Sequence, residues 1–167
     1  MHYPYLIVGG GLAGASAVAG TRAGDKDGGI LLLARENYPP YHRPPLSKDL
    51  WFGKSTRDKL PVHDETFYRE NKVELVVRRE AVELDPRRHA VWDDRGTEYT
   101  YGKLLLATGG RPRVLNVEGG DLEGVHYYRY LEDYLMLEGR LPHLQHTLVV
   151  GGGFIGVQLA AAMGHKG

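Results

Sequence analysis

Cysteine is absent from the 167 residues. That absence removes disulfides, thiolate metal sites and any thiol redox relay together. Net charge is missing as well, because 21 Lys and Arg balance 21 Asp and Glu. No global basic field exists to hold nucleic acid or an anionic membrane, and neither is expected as a partner. Long apolar runs are also lacking. The opening "MHYPYLIVGGG" has no basic leading region, and its apolar stretch is far too short for a signal peptide or a membrane span. A soluble cytoplasmic chain is the expectation. The eight histidines form no HExxH or comparable cluster, so no metal site is expected. No serine and histidine arrangement suggests a hydrolase triad. The tyrosine-rich stretch Tyr127 to Tyr134 reads as helix packing rather than as a platform for stacking bases.

Glycine is what the chain has in excess, and the 23 glycines cluster. Two runs stand out, "GGGLAG" at Gly9 to Gly14 and "GGGFIG" at Gly151 to Gly156. Each follows a short apolar run, "YLIV" or "TLVV", and precedes a helix of small residues. The chain contains one nucleotide-binding opening twice.

The pattern along the chain predicts an α/β fold. Tyr5 to Val8 reads as a buried parallel strand, "LAGASAVAGTRAG" as a helix with a small inner face, and Ile30 to Ala34 as the next strand. Together they make one βαβ unit of the length of a mononucleotide-binding half. Four prolines in "NYPPYHRPPLSKDLW" break helix and central strand alike. A short helix is predicted from Leu46, capped by Ser47. "DETFYRENKV" is a helix leading to a strand at Val73 to Val77. The segment from Ala81 alternates apolar and polar residues, with turn signals at Asp85-Pro86 and Asp94-Arg95-Gly96. It reads as a three-stranded antiparallel meander running into a buried strand, Lys103 to Ala107. After a connecting loop, "VHYYRYLEDYLMLEGRL" places Tyr130, Tyr134, Leu137 and Leu141 on one helical face. A last strand, Thr147 to Val150, and its helix open a second unit.

In Gly9-x-Gly11-x-x-Gly14 the first glycine permits the tight turn and the second lets backbone approach a pyrophosphate. The third lets helix and strand pack closely. The phosphate then sits on the helix N-terminus, at Leu12 and Ala13, where free N–H groups and the dipole favour negative charge. The acid that holds the ribose hydroxyls is expected about twenty residues on. Glu36 in "LLLAREN" is the candidate, with a solvated strand-end charge as the alternative. Arg35 beside it leaves a 2′-phosphate reading open, but the next motif argues against that.

The segment "PYHRPPLSKDLW", Pro40 to Trp51, closely resembles the "PYxRPPLSKxLW" block of FAD-dependent reductases of the ferredoxin, rubredoxin and putidaredoxin reductase type. The apoptosis-inducing factor flavoproteins share it. All belong to the pyridine nucleotide-disulfide oxidoreductase superfamily. "ATGGRPR" at Ala107 to Arg113 and the terminal "GGGFIG" follow in that family's order. The resemblance covers the chain end to end, and "RPPLSK" is far more specific than either glycine run. It implies a Rossmann-like FAD-binding domain with parallel sheet and meander at residues 1–115, incomplete. A loop and amphipathic helix follow at 116–146, then the first strand and helix of an NAD(P)H domain at 147–167.

By resemblance, Gly9, Gly11, Gly14 and Glu36 hold the ADP half of FAD. Arg43 and Lys48 reach the pyrophosphate and flavin regions, presented by the rigid Pro44-Pro45 turn. Val82 matches a position whose backbone meets the adenine. Ala107, Thr108, Gly109 and Arg113 are further FAD contacts. Gly151, Gly153, Phe154, Ile155 and Gly156 would begin the NAD(P)H site. Where the family usually has a glutamate paired with the "RPPLSK" lysine, this chain has Gln158. A neutral amide can hydrogen-bond Lys48 but not neutralise it, so Lys48 is expected to favour reduced flavin. Lys48 and Gln158 are the candidate catalytic residues.

A full reductase of the family is more than twice this length. The implied function is hydride transfer from NAD(P)H to FAD, with electrons passed on to a small iron-sulfur protein. The chain alone is expected to bind FAD without turning over. The sheet is expected to lack its last parallel strand, and the terminal strand to lack a sheet of its own. The alternatives are a non-catalytic nucleotide-binding module, dimerising or completed by another chain, and an interaction protein of the apoptosis-inducing factor kind.

Overall fold

The computed structural model describes residues 1–166. They fall into two compact units, the first made of Met1–His42 and Pro61–Gly109. Its six strands are β1 (His2–Val8), β2 (Ile30–Leu33), β3 (Val73–Val76), β4 (Ala81–Asp85), β5 (Ala90–Asp93) and β6 (Glu98–Leu106). Its helices are α1 (Leu12–Gly24) and α2 (Glu65–Glu70). The sheet runs β3-β2-β1-β6-β5-β4, parallel from β3 through β6 and antiparallel beyond. The mixed α/β fold expected from the pattern is present.

Side-chain alternation explains how this sheet buries both faces. On β2, Ile30 and Leu32 join Ile7, Val18 and Tyr68 in one core. Leu31 and Leu33 join Tyr3, Leu6, Val8, Val91, Tyr99 and Tyr101 in the other. All four β2 residues are buried, as a parallel strand covered on both sides requires. Each such aliphatic side chain contributes about 1.5–3 kcal/mol by leaving water. α1 turns Gly14, Ala15 and Val18 inward. α2 starts where the Asp64 carboxylate accepts the Phe67 N–H at 2.8 Å, a side-chain cap of the ordinary kind.

The meander forms, but its last strand differs from expectation. β6 is continuous, pairing antiparallel with β5 near Thr100 and parallel with β1 out to Leu106. Its second half is not the buried strand predicted over Lys103 to Ala107, since Leu105 and Leu106 are 44% and 55% exposed. Pairing with β5 stops at Thr100, so later β6 residues keep β1 as their only described neighbour.

One buried acid organises the β5–β6 turn. Asp93 is 1% exposed. Its Oδ1 accepts the Arg95 and Thr97 N–H groups. Its Oδ2 accepts the Tyr99 hydroxyl at 2.9 Å and meets Arg79 Nε at 3.1 Å. Burial alone would raise the Asp93 carboxyl, but the Thr97, Tyr99 and Arg95 donors hold it below its ordinary value.

The second unit comprises residues 43–60 and 110 onward. It contains α3 (Leu131–Arg140), α4 (Phe154–Lys166) and 3₁₀ turns at Pro44–Ser47, Arg57–Lys59 and Leu141–His143. The helix predicted from Leu46 with Ser47 as its cap is instead the first of these turns, entered from Arg43. Pro44 and Pro45 start it because their φ is preset and neither has an N–H to satisfy. α3 begins at Leu131 rather than near Val125. The Asp133 carboxylate takes the Arg129 and Tyr130 N–H groups at 2.7 and 2.6 Å and fixes the start there. Tyr130 and Leu141 therefore flank the helix instead of lying on its stripe. Thr147 to Val150 is not a strand. No described strand pairs with it, and Leu148 and Val150 stand 87% and 69% exposed.

Candidate functional site

In the first unit the candidate residues collect at the C-terminal ends of the parallel strands. Gly9 N–H donates to Leu33 O at 2.9 Å, and Ala107 N–H donates to Val8 O at 2.8 Å. The glycine turn is thereby wedged between the ends of β2 and β6. Gly9 has φ +134°, and a Cβ there would lie 2.1 Å from Ala107 O. A Cβ on Gly10 would lie 2.4 Å from the Ala34 Cβ, and one on Gly14 would lie 2.0 Å from Gly9 O. Gly11 differs, with nothing within 4 Å of its Cβ position. Gly9, Gly10 and Gly14 are packed tight, and Gly11, the glycine expected to face a pyrophosphate, is the open one of the four.

α1 leaves Gly11 without a side-chain cap and without an acid in its first turn. Its first intrahelical bond runs from Ala15 N–H to Gly11 O at 3.0 Å. The N–H groups of Leu12, Ala13 and Gly14 precede that bond and have no acceptor within the helix. Together with the dipole they favour an anion. The C-terminal edge of a parallel sheet, where strand order reverses about β1, is also the usual ligand crevice of such folds. These features fit a dinucleotide.

Glu36 lies two residues past Ala34, half-buried. Its Oε2 accepts the Tyr41 hydroxyl at 2.5 Å, and its carbonyl accepts the Arg78 N–H at 3.1 Å. Arg35 pairs with Glu80 at 3.5 Å on an exposed surface. Val82 sits in a bulge, because the β4–β5 register slips between Ala81 and Glu83 and gives it no partner on β5. Its side chain is 62% exposed. Thr108 follows Ala107 at the turn, and Gly109 has φ +67°.

Within the second unit the "RPPLSKDLW" segment forms much of the core. Leu46, Leu50 and Trp51 are buried, and the Trp51 ring meets Tyr134 edge-on with centroids 4.8 Å apart. Trp51 Nε1 donates to Tyr128 Oη at 3.2 Å, and that hydroxyl donates to Leu46 O at 2.5 Å. Arg43 Nη1 donates to Arg129 O at 3.1 Å, and its guanidinium lies 5.1 Å from the Tyr130 ring centre. Lys48 is exposed at the end of the turn. The carboxamide oxygen of Gln158 accepts the Ser47 hydroxyl at 2.7 Å. In this structure the amide expected to bond Lys48 accepts instead from the neighbouring serine, whose hydroxyl is buried and needs a partner.

The second glycine turn repeats the first locally. Gly151 has φ +113°, and a Cβ on Gly156 would lie 2.1 Å from Gly151 O. The first helical bond again spans four residues, Val157 N–H to Gly153 O at 3.0 Å. A Cβ on Gly151, Gly152 or Gly153 would meet nothing within 4 Å. Phe154 and Ile155 are exposed at the helix start. A groove of about 590 Å³ in this unit runs past Arg113, Leu137, Val150, Ile155 and Met163.

Sequence reasoning missed three residues that the structure makes active in these arrangements: Gly10, Tyr41 and Ser47. The last two lie inside the "PYHRPPLSK" block. Their hydroxyls, on otherwise buried side chains, were the available signal. Among the described residues no group of three or more His, Cys, Asp or Glu could hold a metal ion. No described helix is long and apolar enough to cross a membrane.

Comparison with known proteins gives the same reading. Residues 3–167 match the family described as pyridine nucleotide-disulphide oxidoreductase. A rubredoxin-NAD(+) reductase of Pseudomonas putida is 40% identical over 157 residues, 94% of this chain and 41% of the relative. A crystal structure of a ferredoxin reductase from Rhodopseudomonas palustris superposes with a TM-score of 0.90 at 36% identity, covering 98% of this chain and 40% of that one. The reductase of a covalent putidaredoxin reductase–putidaredoxin complex gives 0.84 at 31% identity, covering 98% and 40%. The chain thus spans about 40% of the length of the relatives it matches.

Proposed function

The chain belongs to the pyridine nucleotide-disulphide oxidoreductase family, and from that premise we propose that it serves an NAD(P)H-dependent ferredoxin or rubredoxin reductase by binding FAD. FAD and NAD(P)H are the cofactors of that family. The observation that carries the reading is the Gly9–Gly14 turn. It is packed against Ala34 and Ala107 yet open at Gly11, beside an uncapped helix N-terminus.

In this proposal the N–H groups of Leu12, Ala13 and Gly14 bind the pyrophosphate, and Glu36 accepts from the ribose hydroxyls. Backbone at Val82 meets the adenine, and Ala107, Thr108 and Gly109 line the turn on the β6 side. Arg43, Lys48 and Arg113 are assigned as flavin-side cations on the family's pattern alone. Bound FAD supplies a two-electron acceptor that releases electrons singly. Gly151, Gly153, Phe154, Ile155 and Gly156 are assigned to the pyridine nucleotide. Electron delivery to a small iron-sulfur protein is proposed because relatives carry rubredoxin and ferredoxin reductase names. Those names give no support to a non-catalytic module.

Titration of the purified chain with FAD, followed by flavin fluorescence, tests the reading. Saturable quenching is expected in the wild type and is expected to be lost in Gly11→Leu, whose side chain fills the open position. Equal quenching in both would contradict it.

A further inference from the structure

Two of the interactions that hold Glu36 come from its own unit. Arg78 N–H fixes its carbonyl, and the Tyr41 hydroxyl fixes Oε2 at 2.5 Å. The Tyr41 ring is itself immobilised, being 3% exposed and edge-on to Tyr38 with centroids 6.4 Å apart. Its backbone bridges to Pro61, and Val62 N–H donates to Pro40 O at 2.9 Å. The donor therefore comes from a rigid ring on a pinned segment.

A glutamate side chain gives up its rotamer freedom when fixed in one geometry, and a ligand that had to fix it would bear that loss. A hydroxyl donating to a carboxylate makes a charge-assisted bond, stronger than one between neutral groups. With that bond made, the carboxylate is already ordered before any ligand arrives. Recognition of a vicinal diol needs this, since both hydroxyls must find acceptor lone pairs at fixed positions.

We propose that Tyr41 is a positioning residue for the adenosine ribose of the dinucleotide: it orients the Glu36 carboxylate to accept from the ribose hydroxyls. The inference rests on the FAD reading above and adds to it a group outside the glycine fingerprint.

The test measures displacement of FAD from the chain by ADP and by 2′-deoxy-ADP. Wild type is expected to prefer ADP about tenfold, the usual scale for a hydrogen bond to a charged group. Tyr41→Phe keeps the buried ring and removes only the donor. It is expected to reduce that preference to about twofold. A merely structural effect would weaken both competitors alike and leave their ratio unchanged, which would overturn the proposal. Glu36→Gln supplies an independent arm, in which adding Tyr41→Phe should change the ratio no further. A further drop in the double variant would also overturn it. Failure of the wild type to bind FAD overturns the underlying reading instead, and the inference with it.

Discussion

Gly14 faces the carbonyl oxygen of Gly9 so closely that a Cβ on Gly14 would lie 2.0 Å from it. The obstacle is backbone rather than a flexible side-chain end, so the turn or the helix must move to admit one methyl. Gly14→Ala is expected to destabilise the first unit by about 2 kcal/mol, the usual scale of overpacking. Gly20, exposed on the same helix with nothing within 4 Å of its Cβ position, is the control. Gly20→Ala is expected to stabilise by about 0.5–1 kcal/mol, because helix entropy favours alanine. Urea unfolding of both variants checks the pair, and equal effects would remove the close approach from the account.

Asp93 gives a pH dependence with a definite sign. Its carboxyl is held below the ordinary value in the folded chain, so the unfolded chain binds the proton more readily. The stabilisation is present above the unfolded aspartate value and is lost as pH falls through the lower folded value. Asp93→Asn leaves the Arg79 guanidinium without its carboxylate and is expected to cost about 2–3 kcal/mol at neutral pH. The gap between wild type and variant should narrow in acid. A gap constant from neutral pH to well below the aspartate range would contradict this.

Ser47 and Gln158 couple the "RPPLSK" turn to α4. Ser47→Ala leaves the Gln158 carboxamide oxygen without that donor and is expected to weaken the docking of α4 by about 1 kcal/mol. Hydrogen exchange should show α4 amides less protected while those of α1 are unchanged.

Gln158→Glu tests the role assigned to Lys48. The variant keeps an acceptor for Ser47 and adds a negative charge beside that serine, the residue that precedes Lys48. In the FAD-loaded chain the flavin midpoint potential is expected to fall, because reduced flavin loses part of a favourable cation. An unchanged potential would remove Lys48 from the flavin proposal.

The sequence was most legible where period and punctuation agreed. Runs such as "ILLL" and the turn at Asp85-Pro86 fixed strands and hairpins before any packing was known. Gly9 and Gly14 were legible for the same reason, since the turn they make is local. What depended on partners was not. Thr147 to Val150 has strand composition, yet a strand needs a neighbour, and none is described beside it. The start of α3 moved to Leu131 because one carboxylate, Asp133, takes two N–H groups that no periodicity reveals. Exposure of Leu105 and Leu106 followed from where β5 stops. Tyr41 and Ser47 stand in the "PYHRPPLSK" block, but which atoms they serve is set by tertiary placement.

On the reading proposed above, the N-terminus of α1, opened by Gly11, receives the pyrophosphate of a dinucleotide. A crystal structure of the chain soaked with ADP tests it most directly. Phosphate oxygens are expected within about 3.2 Å of the Leu12 and Ala13 amide nitrogens, with the ribose at Glu36. ADP bound elsewhere, with those amides unoccupied, would contradict it.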